Sequence, residues 1–249
     1  MYRRVVVIVK KKKVNLISVI VGILIASCPV LYNFYDEIYD LVNKKAEEKV
    51  KSISYDIGDI PKYNGNNYVV INNNNPKFDE NDYTKEPFQI FGNLDNLKRC
   101  TSAYAKLDKS MMPTEKRGSI GMIKPSGWHT IKYDIVDGKY LYNRCHLIGY
   151  QLTGENANEL NLITCTRSTN TKRMLEFENK VADYIKETNN HVLYRVTPIF
   201  EGENLLASGI QMEAYSIEDN GKGIKFNVYV YNVEDGIEID YRNGDSHLV

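Results

Sequence analysis

The sequence predicts an α+β fold, an antiparallel β-sheet with helices packed on it. Three β-patterned stretches follow one another near the C-terminus, "HVLYRVTPIF", "LLASGIQMEAY" and "IKFNVYVYNV", with glycines in the turns between. They are preceded by the clearest helix of the chain, residues 168–187, where Met174, Phe177, Val181, Tyr184 and Ile185 recur at three- to four-residue spacing on one face. A hydrophobic content of 43% and 19 tyrosines favour a packed, strand-rich domain over disorder.

The elements are expected in this order. Residues 14–31 form an 18-residue stretch without charge, preceded by Lys10, Lys11, Lys12 and Lys13. That length meets the need of a bilayer span, and the lysines should stay cytoplasmic and send the bulk of the chain outside. Three readings stay open: an uncleaved signal anchor, a signal peptide cleaved near the small residues Ala26 and Ser27, or a lipobox-like "IASC" acylated at Cys28. Each exports the domain, to the outer face of a bacterial membrane or into the medium. Residues 1–34 are therefore set apart, residues 35–59 are read as a stalk or linker that is helical and charged over 36–51, and residues 60–249 as the working domain. Within it a short strand is expected at 68–71 between asparagine-rich loops. A turn and helix are expected across 88–107, with Asn93 or Asp95 as N-cap. Strands are expected in "GSIGMI", "WHTIKYDIV" and "KYLYN", the last two joined by a hairpin at Asp137-Gly138.

The formal net charge of zero conceals an asymmetry. Six of the 32 basic residues and none of the 32 acidic ones lie in residues 1–34, which leaves the remainder at −6. A polyanion would meet repulsion over most of that surface, so a nucleic-acid site has to be a local basic patch. Cys100, Cys145 and Cys165 show no CxxC spacing for zinc and are too few for a disulfide framework. A single bridge is expected if the compartment is oxidising, between Cys100 and Cys145.

His146, in "YNRCHLIGY", is the candidate around which the chemistry gathers. Taken alone, a histidine at a strand end is most often structural. Its surroundings favour another reading: Arg144 precedes it, a long polar loop follows it, and 24 residues later a helix begins near Asn170 and carries Glu178. Eight residues rotate a helix about 80° past two full turns, so Asn170 and Glu178 lie on neighbouring sides. An imidazole that takes a proton from water and an amide oxygen that holds a hard cation are the ingredients of phosphodiester hydrolysis. Magnesium keeps most of its waters, so a single neutral ligand suffices once a phosphate arrives, and no aspartate cluster is needed. Arg167, Lys172 and Arg173 gather positive charge at the same helix start, where the helix dipole also favours phosphate. His129 is read as structural or at the rim of the site; His191 and His247 are given no role.

The stretches "RGSIGMIKPSGWH", "YNRCHLIGYQLTGENANELNLIT", "TRSTN" and "MLEFENKVADYI" resemble the DNA/RNA non-specific endonucleases, the ββα-metal nucleases, and among them the branch with streptococcal DNA-entry and secreted DNases. The resemblance is firm over 117–197 and weaker from about residue 60 to the C-terminus. The family's Asp-Arg-Gly-His signature reads Asn143-Arg144-Cys145-His146 here. The resemblance implies a ββα-metal active-site motif with His146 as general base and Asn170 as ligand to magnesium, with manganese as a substitute. It further implies Glu178 as an acceptor for water around the metal, Arg144 as a phosphate contact and Asn161 as a supporting residue. Arg117 is either a second cation for the transition state or a surface charge. The implied partners are DNA and RNA, with the membrane reached only through the N-terminal segment and no obligate protein partner. Non-specificity follows if contacts go to phosphate and sugar. The alternative is a surface nucleic-acid-binding or uptake protein that has lost catalysis, and the joint presence of Arg144, His146, Asn170 and Glu178 favours the enzyme.

Overall fold

A six-stranded antiparallel sheet organises the domain, with strand order β1-β8-β7-β6-β3-β2. Its members are β1 (Tyr68–Val70), β2 (Phe88–Phe91), β3 (Ala103–Leu107), β6 (Val192–Ile199), β7 (Gly209–Ser216) and β8 (Lys225–Tyr231). The structure, a computed structural model, describes residues 55–249, which belong to one unit, Ile53–Val249. The expected N-terminal span and the stalk helix at 36–51 lie outside the described residues; among the described ones, no helix is long and apolar enough to cross a membrane.

Alternation along the strands separates the two faces of the sheet. Ala103, Ala105 and Leu107, Val192, Tyr194 and Val196, Ile210, Met212 and Ala214, and Phe226, Val228 and Val230 all enter one core. Onto that face pack α2 (Leu175–Thr188) and a separate two-stranded ribbon, β4 (Tyr142–His146) with β5 (Leu162–Thr166). Phe177 of α2 meets Tyr68 and Phe226 edge-on or tilted, with ring centroids 4.9 Å away in each case. Val181, Ala182 and Ile185 are fully buried beside it. Each large apolar side chain of this stripe contributes about 1.5–3 kcal/mol by leaving water. A short helical turn, α1 (Tyr150–Thr153), lies between the ribbon strands in sequence, and β9 (Ile237–Ile239) pairs with β10 (Ser246–Leu248) near the C-terminus.

Three expectations are corrected. Residues 88–107 do not hold a helix; β2 and β3 pair antiparallel there, Phe88 opposite Lys106 and Phe91 opposite Ala103. Asp95 caps a loop instead, its carboxylate accepting from the Leu97 and Arg99 amides and the Arg99 guanidinium. The strands expected at 118–136 are irregular, and only a bridge between Lys132 and Tyr140 flanks the Asp137-Gly138 turn. The disulfide joins Cys145 to Cys165, and Cys100 is free and buried. Cys145 stands opposite Ile163, so Cys165 is its diagonal neighbour on the same ribbon face, with Cα atoms 5.9 Å apart. Cys100 is held elsewhere, its thiol donating to the carbonyls of Glu159 and Leu162, and burial pushes it up to about 11.

Candidate active site

The ribbon and the helix that follows it form a continuous β4–β5–α2 unit. Cys145, Ile163 and Cys165 turn to the core, which leaves Arg144, His146 and Thr164 to the other side of the ribbon. His146, only 5% exposed, has both ring nitrogens engaged. Nε2 lies 2.8 Å from the Asn156 carbonyl and Nδ1 lies 3.1 Å from Nη2 of Arg117. A carbonyl only accepts and a guanidinium only donates, so the neutral ring carries its proton on Nε2 and its lone pair on Nδ1. Burial drives the imidazole down to about 4, with the Arg117 charge acting in the same direction and the Asn156 carbonyl opposing. The ring is therefore neutral at neutral pH, with a defined basic atom.

The loop after His146 is fixed by Asn161, which is fully buried. Its side chain accepts from the Ile148 amide at 2.9 Å and donates to the Ile148 carbonyl at 3.0 Å, while its own carbonyl accepts from the Leu147 amide at 2.9 Å. Gly149 follows, and a Cβ there would lie 2.7 Å from a carboxylate oxygen of Glu178. A hydrogen at this position is what lets α2 bring Glu178 against the loop. Burial raises the Glu178 carboxyl to about 7, against the lowering effects of Gln151 and Arg117.

Between β5 and α2 the chain makes a π-helical turn, Thr169–Met174, a wide geometry that recurs at functional sites. Its entry is anchored from the C-terminal segment. The Ser168 amide and hydroxyl donate to Glu234 at 2.9 and 2.5 Å, and the Thr166 amide donates to Asn232 at 2.9 Å. Asn170 sits in this turn, partly exposed, and its side chain makes no hydrogen bond among the described residues. The amide is thus open to a ligand, while Glu178 lies further along the same helical run.

A family model for DNA/RNA non-specific endonucleases matches residues 79–218, more than half of the chain. The chain is a member of this family. It is accordingly a nucleic-acid hydrolase with the ββα-metal nuclease fold. Solved structures agree. NucA from Streptococcus agalactiae with no metal bound is 25% identical, with a TM-score of 0.67 over 82% of this chain and 95% of that one. The magnesium-bound form of NucA is 24% identical, with a TM-score of 0.68 over 82% and 96%. The Sda1 nuclease with bound zinc ion is 30% identical, with a TM-score of 0.55 over 65% and 80%.

The endonuclease distributes its expected cations unevenly. Arg173 is not a substrate contact: it is 2% exposed and donates to the Val233 carbonyl at 2.6 Å, to Asn67 at 3.2 Å and to the Tyr63 hydroxyl at 3.3 Å. The π-turn points it inward, where a guanidinium satisfies three acceptors of the surrounding chain. Arg167 is shared with Asp137 at 3.1 Å. Lys172 is exposed and has no acidic partner among the described residues. Arg144 donates to the carbonyls of Gly121 and Ile123 and lies over the Trp128 ring. His129 is bonded to the Asn243 carbonyl at 2.9 Å. Sequence reasoning missed Asn156, Gly149 and Glu234. None of the three was legible from residue type: Asn156 lies in the polar loop between His146 and Asn161 but acts through its backbone carbonyl.

Proposed function

We propose that the chain is an exported, sequence-non-specific, magnesium-dependent endonuclease of DNA and RNA, with His146 as general base. The observation that carries this reading is the fixed tautomer of His146: Nε2–H is bound to the Asn156 carbonyl and the lone pair of Nδ1 faces Arg117. Nδ1 takes the proton of an attacking water as the water oxygen bonds to phosphorus and the bond to the leaving oxygen breaks. The Asn156 carbonyl then stabilises the imidazolium that forms. Arg117 moves from Nδ1 to the phosphate, which frees the lone pair at the moment that negative charge arrives.

The residues fit a divalent cation. Asn170 offers an uncommitted amide oxygen and Glu178, eight residues on along the same helical run, a second acceptor, and among the described residues there is no group of three His, Cys, Asp or Glu that would make a dedicated cage. That donor set suits magnesium, which retains its water and binds through few protein oxygens. NucA and Sda1 have been seen with magnesium and zinc respectively. Once bound, the cation neutralises charge on the phosphate and on the leaving oxygen.

Export is supported by the basic cluster ahead of residues 14–31 and by the Cys145–Cys165 bridge, since such bonds persist in oxidising compartments. Purified full-length chain should degrade plasmid and RNA with magnesium and stop on chelation. Binding without cleavage under every divalent ion would replace the enzyme with an uptake protein. Protease added to intact cells should digest the domain, and full protection would overturn the export reading.

A further inference from the structure

Residues 120–123 close a β-turn in which the Ile123 amide donates to the Ile120 carbonyl at 3.2 Å, with Gly121 and Met122 at the corners. Arg144 fastens this turn. Its Nη2 donates to the Gly121 carbonyl at 2.9 Å and its Nε to the Ile123 carbonyl, while the guanidinium carbon lies 3.8 Å from the centre of the Trp128 ring. A second turn brings Trp128 into that position, its amide donating to the Pro125 carbonyl. Ser126 is tied on both sides, its hydroxyl to the Leu205 carbonyl at 2.7 Å and its carbonyl to the Thr164 hydroxyl at 2.8 Å. Thr164 stands opposite Arg144 on the ribbon. Gly127 makes this docking feasible: at φ +63°, a Cβ there would fall 2.1 Å from Leu206.

Met122, at the corner of the fastened turn, is 68% exposed. Lys116, Arg117 and Lys124 flank it in sequence, and Lys116 and Lys124 have no acidic partner among the described residues. Arg144 lies two residues before His146 on the same side of β4, so the turn is tied to the strand that carries the base. An apolar tip between uncommitted cations matches a nucleic acid, whose phosphates meet the cations while its sugar or base edge meets the thioether.

We infer that this turn is a wedge that seats the nucleic acid beside His146, with Met122 as its contact and Arg144 as a positioning residue rather than a phosphate ligand. The inference rests on the nuclease reading above. Two carbonyls and a stacked indole occupy the guanidinium in a way that a lysine could not reproduce.

Binding of the full-length chain to a labelled duplex, in chelator so that nothing is cut, tests this across a salt titration. Met122→Ala should weaken binding by roughly three- to tenfold, the value of one lost apolar contact. Arg144→Ala should weaken it at least as much, with Arg144→Lys behaving alike. The double variant should bind no worse than Arg144→Ala alone, because Met122 contributes only while its turn is held. Near-wild-type binding by Arg144→Lys, which keeps a charge for phosphate but cannot hold two carbonyls and the indole, would show a phosphate contact and overturn the assignment. Additive losses, or Met122→Ala binding like wild type, would also overturn it. Met122 is exposed, so its variant remains informative even if Arg144→Ala fails to fold. A wild-type chain that neither binds duplex nor cuts it in magnesium would defeat the nuclease reading itself. A wild-type chain that does both while Met122→Ala is indifferent would defeat only the wedge.

Discussion

Arg117 donates from Nη2 to Nδ1 of His146 across 3.1 Å, so the only basic atom of the ring is covered by a cation. His146→Ala should keep the fold and duplex binding while single-turnover cleavage falls by about 10²–10⁴-fold, the usual worth of a general base. The ring is depressed to about 4, so the acid limb of wild-type cleavage should lie near that value, well below that of a free imidazole. Arg117→Gln removes a lowering charge and should move the limb upward. An unshifted limb, or undiminished cleavage in the alanine variant, would remove this pair from the mechanism.

Asn170→Ala removes a ligand and leaves the base in place. The magnesium concentration at half-maximal rate should rise, and high magnesium should recover part of the rate. A loss that no magnesium concentration relieves would place Asn170 outside the metal site.

Glu178 is raised from 4.5 to about 7 by burial. A raised carboxyl favours the folded state while protonated, so its contribution is complete below about pH 4.5 and is lost as pH rises through about 7. Melting temperature of the metal-free protein should decline over that window, by a free energy on the order of 3 kcal/mol at its upper end. Glu178→Gln, which stays neutral, should flatten the decline. Parallel pH profiles for the two proteins would contradict the cause given.

Lys172 and Arg173, adjacent in sequence, should part company on reversal or removal. Lys172→Glu should weaken duplex binding and lower the log-log salt slope by about 0.9 with little change in melting. Arg173→Ala should cost stability, about 3 kcal/mol, because it leaves buried acceptors unpaired. Equal melting temperatures for the two variants would contradict the inward placement of Arg173.

The helix at 168–187 and the three C-terminal strands were legible because their periodicities, near 3.6 and 2, agree with the faces that the core covers. Residues 88–107 were not. Alanines at 103 and 105 and leucines at 94, 97 and 107 read as helix formers, but Ala103, Ala105 and Leu107 alternate into the core as a strand, and packing overrides propensity. The disulfide was misread because the diagonal partner of Cys145 depends on ribbon register, which spacing does not encode. His146, Asn161 and Glu178 could be proposed from the sequence. Asn156 acts through its backbone carbonyl, which any residue type supplies, so its identity carried no signal. Arg173 was misplaced because the π-turn changes which way a residue at the helix start points.

The bond between Cys145 and Cys165 gives the enzyme an order of assembly. It staples the strand that ends in His146 to the strand that leads to Asn170, and thiols in a reducing cytoplasm do not form it. Where thiols stay reduced, the two ribbon strands are therefore held by hydrogen bonds and packing alone. The link closes only where thiols are oxidised, so redox milieu sets when the β4–β5 ribbon acquires its covalent tie.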